Sequence, residues 1–186
     1  MKTLMLAMIR CPLMFTAVAV LSVVYPVQAN LITNGDFETG DFSGWSVSGN
    51  ASVEGTVGGI APHSGNFQAQ FGLFDSIGQT IATTPGQSYT IDFWAASPGI
   101  SFVFVVWNGH NVFGQIFERP TGYTELTFNV TTSSASTSFL IEQEGGGTLL
   151  LDDVSVNRFV PDGGSTVSLL GFALLGLAVF RRKLSC

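Results

Sequence analysis

The chain has 186 residues, with 13 acidic against 7 basic side chains and a net charge of −6. Five of the basic residues (Lys2, Arg10, Arg181, Arg182 and Lys183) lie near the two ends, which leaves residues 30–159 with Arg119 and Arg158 against twelve acids. A domain this acidic cannot neutralise a phosphate backbone or an anionic lipid surface, which excludes nucleic-acid binding, while neutral sugars, or anionic polymers reached through Ca²⁺, stay open to it.

In chain order, Lys2 and Arg10 precede an apolar run from Pro12 to Val27, and Val27-Gln28-Ala29 sets small or branched residues before Asn30. This is the three-part secretory signal pattern, so residues 1–29 are expected to be removed by signal peptidase. The competing reading is a retained anchor, but the run is short for a membrane span. Residues 30–159 have the length of one domain and suffice for a core. The cysteines are Cys11 and Cys186, so no disulfide, thiol nucleophile or cysteine zinc site serves this domain.

Short β-branched and aromatic runs cut by Gly, Pro, Asn and Ser predict an all-β sandwich. Strands are expected near Trp45–Val47, Ala51–Glu54, Phe67–Phe71, Ser76–Ile81, Ser88–Ala95, Ser101–Trp107, Val112–Phe117, Thr124–Val130, Thr137–Glu142 and Leu149–Val156. Tyr89, Ile91 and Phe93 alternate with Thr90, Asp92 and Trp94, as in a sheet with one buried face. Phe102 to Trp107 is apolar on both faces, which predicts a central strand. Asn108-Gly109 predicts a hairpin turn, Gly145–Gly147 a second turn, and Thr132–Ser136 a polar loop.

Sugar sites combine flat aromatic faces with amide and carboxylate groups. Trp107, Asn108, His110 and Phe113 are the candidates, with Phe74 and Gln143 more remote. Trp45 and Trp94 are assigned to the core, and core packing is the competing reading for Trp107. Phe numbers 16 and Tyr 3, a balance that favours core filling over open sugar platforms. A catalytic reading finds little support. His63 and His110 have no acidic partner evident from the sequence, and no Gly-x-Ser-x-Gly elbow, His-Glu-x-x-His motif or phosphate loop occurs. Glu142/Glu144 and Asp152/Asp153 are carboxylate pairs, but the first runs into Gly145-Gly146-Gly147, a poor setting for pKa tuning.

Several motifs then carry a resemblance. Asn30-Leu31-Ile32-Thr33-Asn34-Gly35-Asp36-Phe37-Glu38, Gly44-Trp45, Ala61-Pro62-His63-Ser64-Gly65-Asn66, Gln87 to Trp94 and Leu151-Asp152-Asp153-Val154-Ser155-Val156 together resemble carbohydrate-binding modules of families 4 and 9, which are galactose-binding-like jelly rolls. The resemblance spans nearly all of residues 30–159 and implies a jelly-roll β-sandwich. It also implies a structural Ca²⁺ tying the N-terminal segment to the last strand. The matching ligands are Glu38 and Asp152, with Asp36 in reserve and carbonyls of the His63–Asn66 loop completing the shell.

Beyond the domain, Val160-Pro161-Asp162-Gly163-Gly164-Ser165-Thr166 leads into an apolar run, Val167 to Phe180, and then Arg181-Arg182-Lys183. The run is short for a full span, yet its basic flank is expected to stay cytoplasmic. Residues 160–186 closely resemble the PEP-CTERM sorting signal that bacterial exosortases recognise, in its Val-Pro-Asp-Gly-Gly variant. Asp162 stands in place of Glu, and Gly163 where the second Pro would be. The resemblance implies export across the inner membrane of a Gram-negative bacterium, brief anchoring by a transmembrane helix at 167–180, and release or transfer by an exosortase. It further implies a non-catalytic surface or matrix protein associated with exopolysaccharide and biofilm. The alternative is a dedicated carbohydrate-binding module with a defined glycan; a glycan-active enzyme is the third class.

Overall fold

The computed structural model describes residues 29–118 and 121–159, together with Gly171. The expected signal peptide, apart from Ala29, and the sorting motif, apolar run and basic tail, apart from Gly171, lie outside the described residues. Among the described residues no helix is long and apolar enough to cross a membrane.

Ten strands form: β1 (Ser46–Ser48), β2 (Ser52–Glu54), β3 (Gln68–Phe71), β4 (Ser76–Ala82), β5 (Ser88–Ser97), β6 (Ser101–Trp107), β7 (His110–Phe117), β8 (Thr121–Thr131), β9 (Ser136–Gly146) and β10 (Leu149–Arg158). They pair antiparallel into two five-stranded sheets, β1-β4-β9-β6-β7 and β2-β3-β10-β5-β8. The fold is therefore the expected all-β jelly-roll sandwich.

The interior strands β5, β6, β9 and β10 bury alternate residues between the sheets, as the two-residue period of a pleated strand requires. From the first sheet these are Val103, Val105 and Trp107 of β6 with Phe139 and Ile141 of β9; from the second, Ile91 and Phe93 of β5 with Leu151, Val154 and Val156 of β10. Leu151 and Val154 have opposite parity, yet both reach this core. A bulge between Asp152 and Ser155, with Asp153 at φ 50°, resets the alternation. The β6–β7 hairpin closes through Asn108 (φ 52°) and Gly109 (φ 79°), with Trp107 paired to His110. Both central residues are left-handed, the geometry that Asn-Gly tolerates best.

The N-terminal segment clamps β10. Leu31 N–H donates to the Val156 carbonyl at 2.9 Å, and Val154 N–H to the Gly35 carbonyl at 2.8 Å. The Asn30 carboxamide donates to the Val154 carbonyl and accepts from the Val156 N–H. Gly35 has no room for a side chain, because a Cβ there would overlap the Val154 carbonyl oxygen.

Candidate functional site: an apolar sheet face and a clamped loop

The outward residues of β6 are Phe102, Phe104 and Val106, all half-buried. On neighbouring β9 they meet Leu140 and Glu142, with Phe104 opposite Glu142 and Val106 opposite Leu140. This is the second apolar face that the sequence of β6 displayed. β6 is an interior strand, as expected, but its outer face is only half covered. Two glycines shape the face. A Cβ on Gly78 of β4 would come within 2.8 Å of Leu140 Cδ1, and one on Gly114 of β7 within 2.9 Å of the Phe104 ring. Leu140 therefore leans over β4 and Phe104 over β7, away from each other. Glu142 lies on this stripe, and burial, helped by the charge of Glu144, raises its carboxyl pKa. The β1–β4 side of the same face is small and polar: Ser46 pairs with Gly78 and Ser48 with Ser76.

The hairpin candidates do not assemble into a platform. Trp107 is 3% exposed, donates its Nε1–H to the Thr131 carbonyl at 2.9 Å, and packs against Tyr89 and Phe139. It is core, because Trp107 shares the inward parity of Val105. Phe113 also points inward and stacks on Phe128 at 4.5 Å with 3° between the rings. Asn108 and His110 are exposed at the turn without those aromatics beside them. Gln143 is buried, whereas Phe74 is 70% exposed on the β3–β4 turn. Trp45 is core, stacked on Phe37 at 5.8 Å, as expected. Trp94 is not. It shares the outward parity of Asp92, and the His63 ring lies on it at 3.9 Å and 13°.

That contact belongs to a clamp on the β2–β3 connection. His63 Nδ1 lies 2.6 Å from Asp153 Oδ2, and Ser64 Oγ donates to Asp153 Oδ1 at 2.8 Å. The expectation that His63 lacks an acidic partner is thus corrected: the two are ninety positions apart in sequence and are brought together only by the fold. Both groups engage the same carboxylate from separate directions, so Ser64, His63 and Asp153 do not form a nucleophile–base–orienter relay. Asp152 accepts the Ser64 N–H at 3.0 Å and the Asp153 N–H at 2.8 Å. Glu38 accepts the N–H groups of Asn66 at 2.7 Å and Phe67 at 2.8 Å, which hold its carboxyl below the usual range. The two residues expected to share a cation therefore grip one loop two positions apart. Asp36 is exposed, and its carboxylate faces the Glu38 N–H at 3.4 Å.

Among the described residues no group of three or more His, Cys, Asp or Glu side chains converges as a metal cluster. Each Asp152 oxygen accepts one backbone N–H, as Glu38 accepts its amides, but Asp152 differs in its burial. It is fully buried with two amide partners, and burial pushes its carboxyl up to about 6. Among the described residues no cationic side chain is paired with this buried carboxylate.

Beyond the clamp, β10 ends at Arg158 and the Phe159 N–H donates to the Ser88 carbonyl at 2.8 Å. The next residues, 160–184, match the profile of the VPDSG-CTERM motif. The chain carries a CTERM-type sorting motif. Its core reads Val160-Pro161-Asp162-Gly163-Gly164, with Gly163 in the serine place of the motif's name. The CTERM motif thus follows the last strand of the jelly roll almost directly. No curated protein matches the chain. Among solved structures, the fold is similar to the family 61 carbohydrate-binding module TmCBM61, solved with β-1,4-galactotriose, at TM-score 0.57 and 23% identity over 70% of this chain and 99% of that one. It is similar to the family 22 xylan-binding domain of a Paenibacillus barcinonensis xylanase, at TM-score 0.52 and 14% identity over 70% of this chain and 95% of that one. It also resembles part of tailspike protein 4 of bacteriophage CBA120, at TM-score 0.55 and 14% identity over 70% of this chain and 21% of that one. These likenesses show a jelly-roll fold shared with carbohydrate-binding modules and with a phage tailspike domain.

Proposed function

We propose that this is a non-catalytic surface or extracellular-matrix protein of a Gram-negative bacterium, exported through its signal peptide, anchored briefly by residues 167–180 and released or transferred by an exosortase. The observation that carries the reading is the CTERM motif at 160–184, directly behind a jelly roll of carbohydrate-binding-module type. In cells with their exosortase, the expected mature species starts at Asn30, is trimmed near Pro161–Thr166 and lies outside the cell. Intact mass and fractionation of strains with and without the exosortase check this. A species keeping Arg181 to Cys186 in both strains would make the segment a plain anchor and remove the link to exopolysaccharide and biofilm.

The surface proposed to touch polysaccharide is the outer face of β6 and β9. Phe104 supplies an apolar ring leaning over Gly114, and Glu142 accepts sugar hydroxyls beside it. Replacing Phe104 by alanine is expected to lower glycan retention in affinity electrophoresis at least tenfold. The melting point should shift by only a few degrees, because the ring is half-exposed and lies outside the main core. Retention equal to wild type would move the site elsewhere.

A structural Ca²⁺ is part of the same proposal. Glu38 and Asp152 would hold it, with Asp36 adjacent, and it would supply the positive charge that buried Asp152 lacks.

A further inference from the structure

Resting on that reading of the sheet face, we infer that its ligand is a neutral polysaccharide whose sugars carry methyl groups, as 6-deoxy carbons or O-acetyl substituents, in preference to plain or acidic sugars.

The chemistry of the face selects this class. Its centre is Phe102, Phe104, Val106 and Leu140, and Ile116 of β7, opposite Phe102, extends it at 49% exposure. The outward centre holds no Trp or Tyr, so no indole N–H or phenol stands beside the rings to pair with a fully hydroxylated sugar. The charged groups of this stripe are Glu142 and Glu144, which when ionised only accept hydrogen bonds. A sugar hydroxyl donates to them, while a uronic acid or a sulfate is repelled. With Phe104 leaning over Gly114 and Leu140 over Gly78, the side chains spread outward, and Val106 lies opposite Leu140 on the same open face. An apolar stripe bounded by acceptors fits a sugar that is apolar at one corner and carries hydroxyls at the others. Hydroxyl donors of the face, Ser76 and Ser138 among them, flank this apolar centre, so desolvating a hydroxymethyl group over the centre itself is unfavourable, whereas a methyl group is favoured by about fourfold in affinity per contact.

The test uses the full chain in detergent and two matched polymer pairs in affinity electrophoresis. One is acetylated glucomannan before and after alkaline de-O-acetylation; the other is a D-rhamnan against a D-mannan of the same linkage, since D-rhamnose is 6-deoxy-D-mannose. Retention stronger by about fourfold or more on the methyl-bearing member of either pair supports the inference, and the pair that responds identifies the substituent. Val106→Thr should shrink that preference while leaving the melting point near wild type. Equal retention on both members of each pair overturns the methyl preference and leaves the glycan face standing. Retention on none of the four polymers sinks both. Preferential retention on an alginate control would overturn the neutral-ligand assignment.

Discussion

Trp107→Ala is expected to destabilise the domain by about 3–5 kcal/mol, the usual cost of truncating a buried large aromatic. The side chain is 3% exposed, bridges the two sheets through Tyr89 and Phe139, and donates its Nε1–H to the Thr131 carbonyl. A domain of ordinary stability, about 5–15 kcal/mol, would lose a large share of it. The denaturant midpoint should fall sharply and glycan retention should fall with it, because the fold goes first. Trp107→Phe fills most of the space but leaves the Thr131 carbonyl without its donor, and about 1–2 kcal/mol of loss is expected. If Trp107→Ala kept the wild-type midpoint and lost only sugar binding, Trp107 would be a platform after all.

The second large effect concerns the clamp and calcium. Asp152 titrates at about 6 in the folded domain, against 3.8 as its ordinary value, because burial disfavours its charge. The folded state therefore keeps a proton that the unfolded chain has already lost. Without calcium, this carboxyl makes the domain more stable at low pH, and its contribution falls as pH rises from about 4 to about 6. Calcium acts in the opposite direction, since it binds the ionised form. At pH 8 and a hundredfold excess over its dissociation constant, Ca²⁺ should add about 2.7 kcal/mol, or roughly 10 °C in melting temperature for a domain of this length. At pH 5 the gain should be much smaller. Calorimetry in EDTA and in Ca²⁺ at both pH values reads this directly. Identical melting points at pH 8 would exclude a cation at this clamp, and Asp152→Asn should erase any difference that is seen.

Most of the sandwich was legible in the sequence. All ten predicted strands overlap observed ones, since alternation and turn residues act locally. The Asn108-Gly109 hairpin formed as its dipeptide demands, and the opposite parities of Phe93 and Trp94 were visible. What those parities meant was less visible. Trp94 looked like core because it is large and apolar, yet its outward face is covered by His63, contributed by a loop about thirty positions earlier. The His63–Asp153 pair joins residues ninety positions apart and rests on a bulge, with Asp153 in a left-handed conformation that no motif announces. The hairpin platform failed for a related reason. An aromatic followed by Asn-Gly describes the turn, but the parity of β6 decides that Trp107 points inward while Phe104 points out. A signal for Phe104 did exist. The run Phe102 to Trp107 is apolar on both faces, and a strand next to an edge strand has only one sheet to cover it.

The course of β10 has a mechanical consequence. Its last residue, Arg158, stands one position before Phe159 and two before the CTERM motif, so any tension transmitted through that motif would enter the domain at the end of this strand. On one side, β10 is paired to β5 from Leu150 to Asp152 and, after the register shift at the bulge, from Ser155 to Arg158. On the other, Asn30, Leu31 and Gly35 hold Val154 and Val156. A pull along the strand axis would load these hydrogen bonds together, in shear, instead of unzipping them one at a time. Were the chain held at its C-terminal end while the proposed sheet face holds a polymer, that geometry would spread the load over the whole of β10.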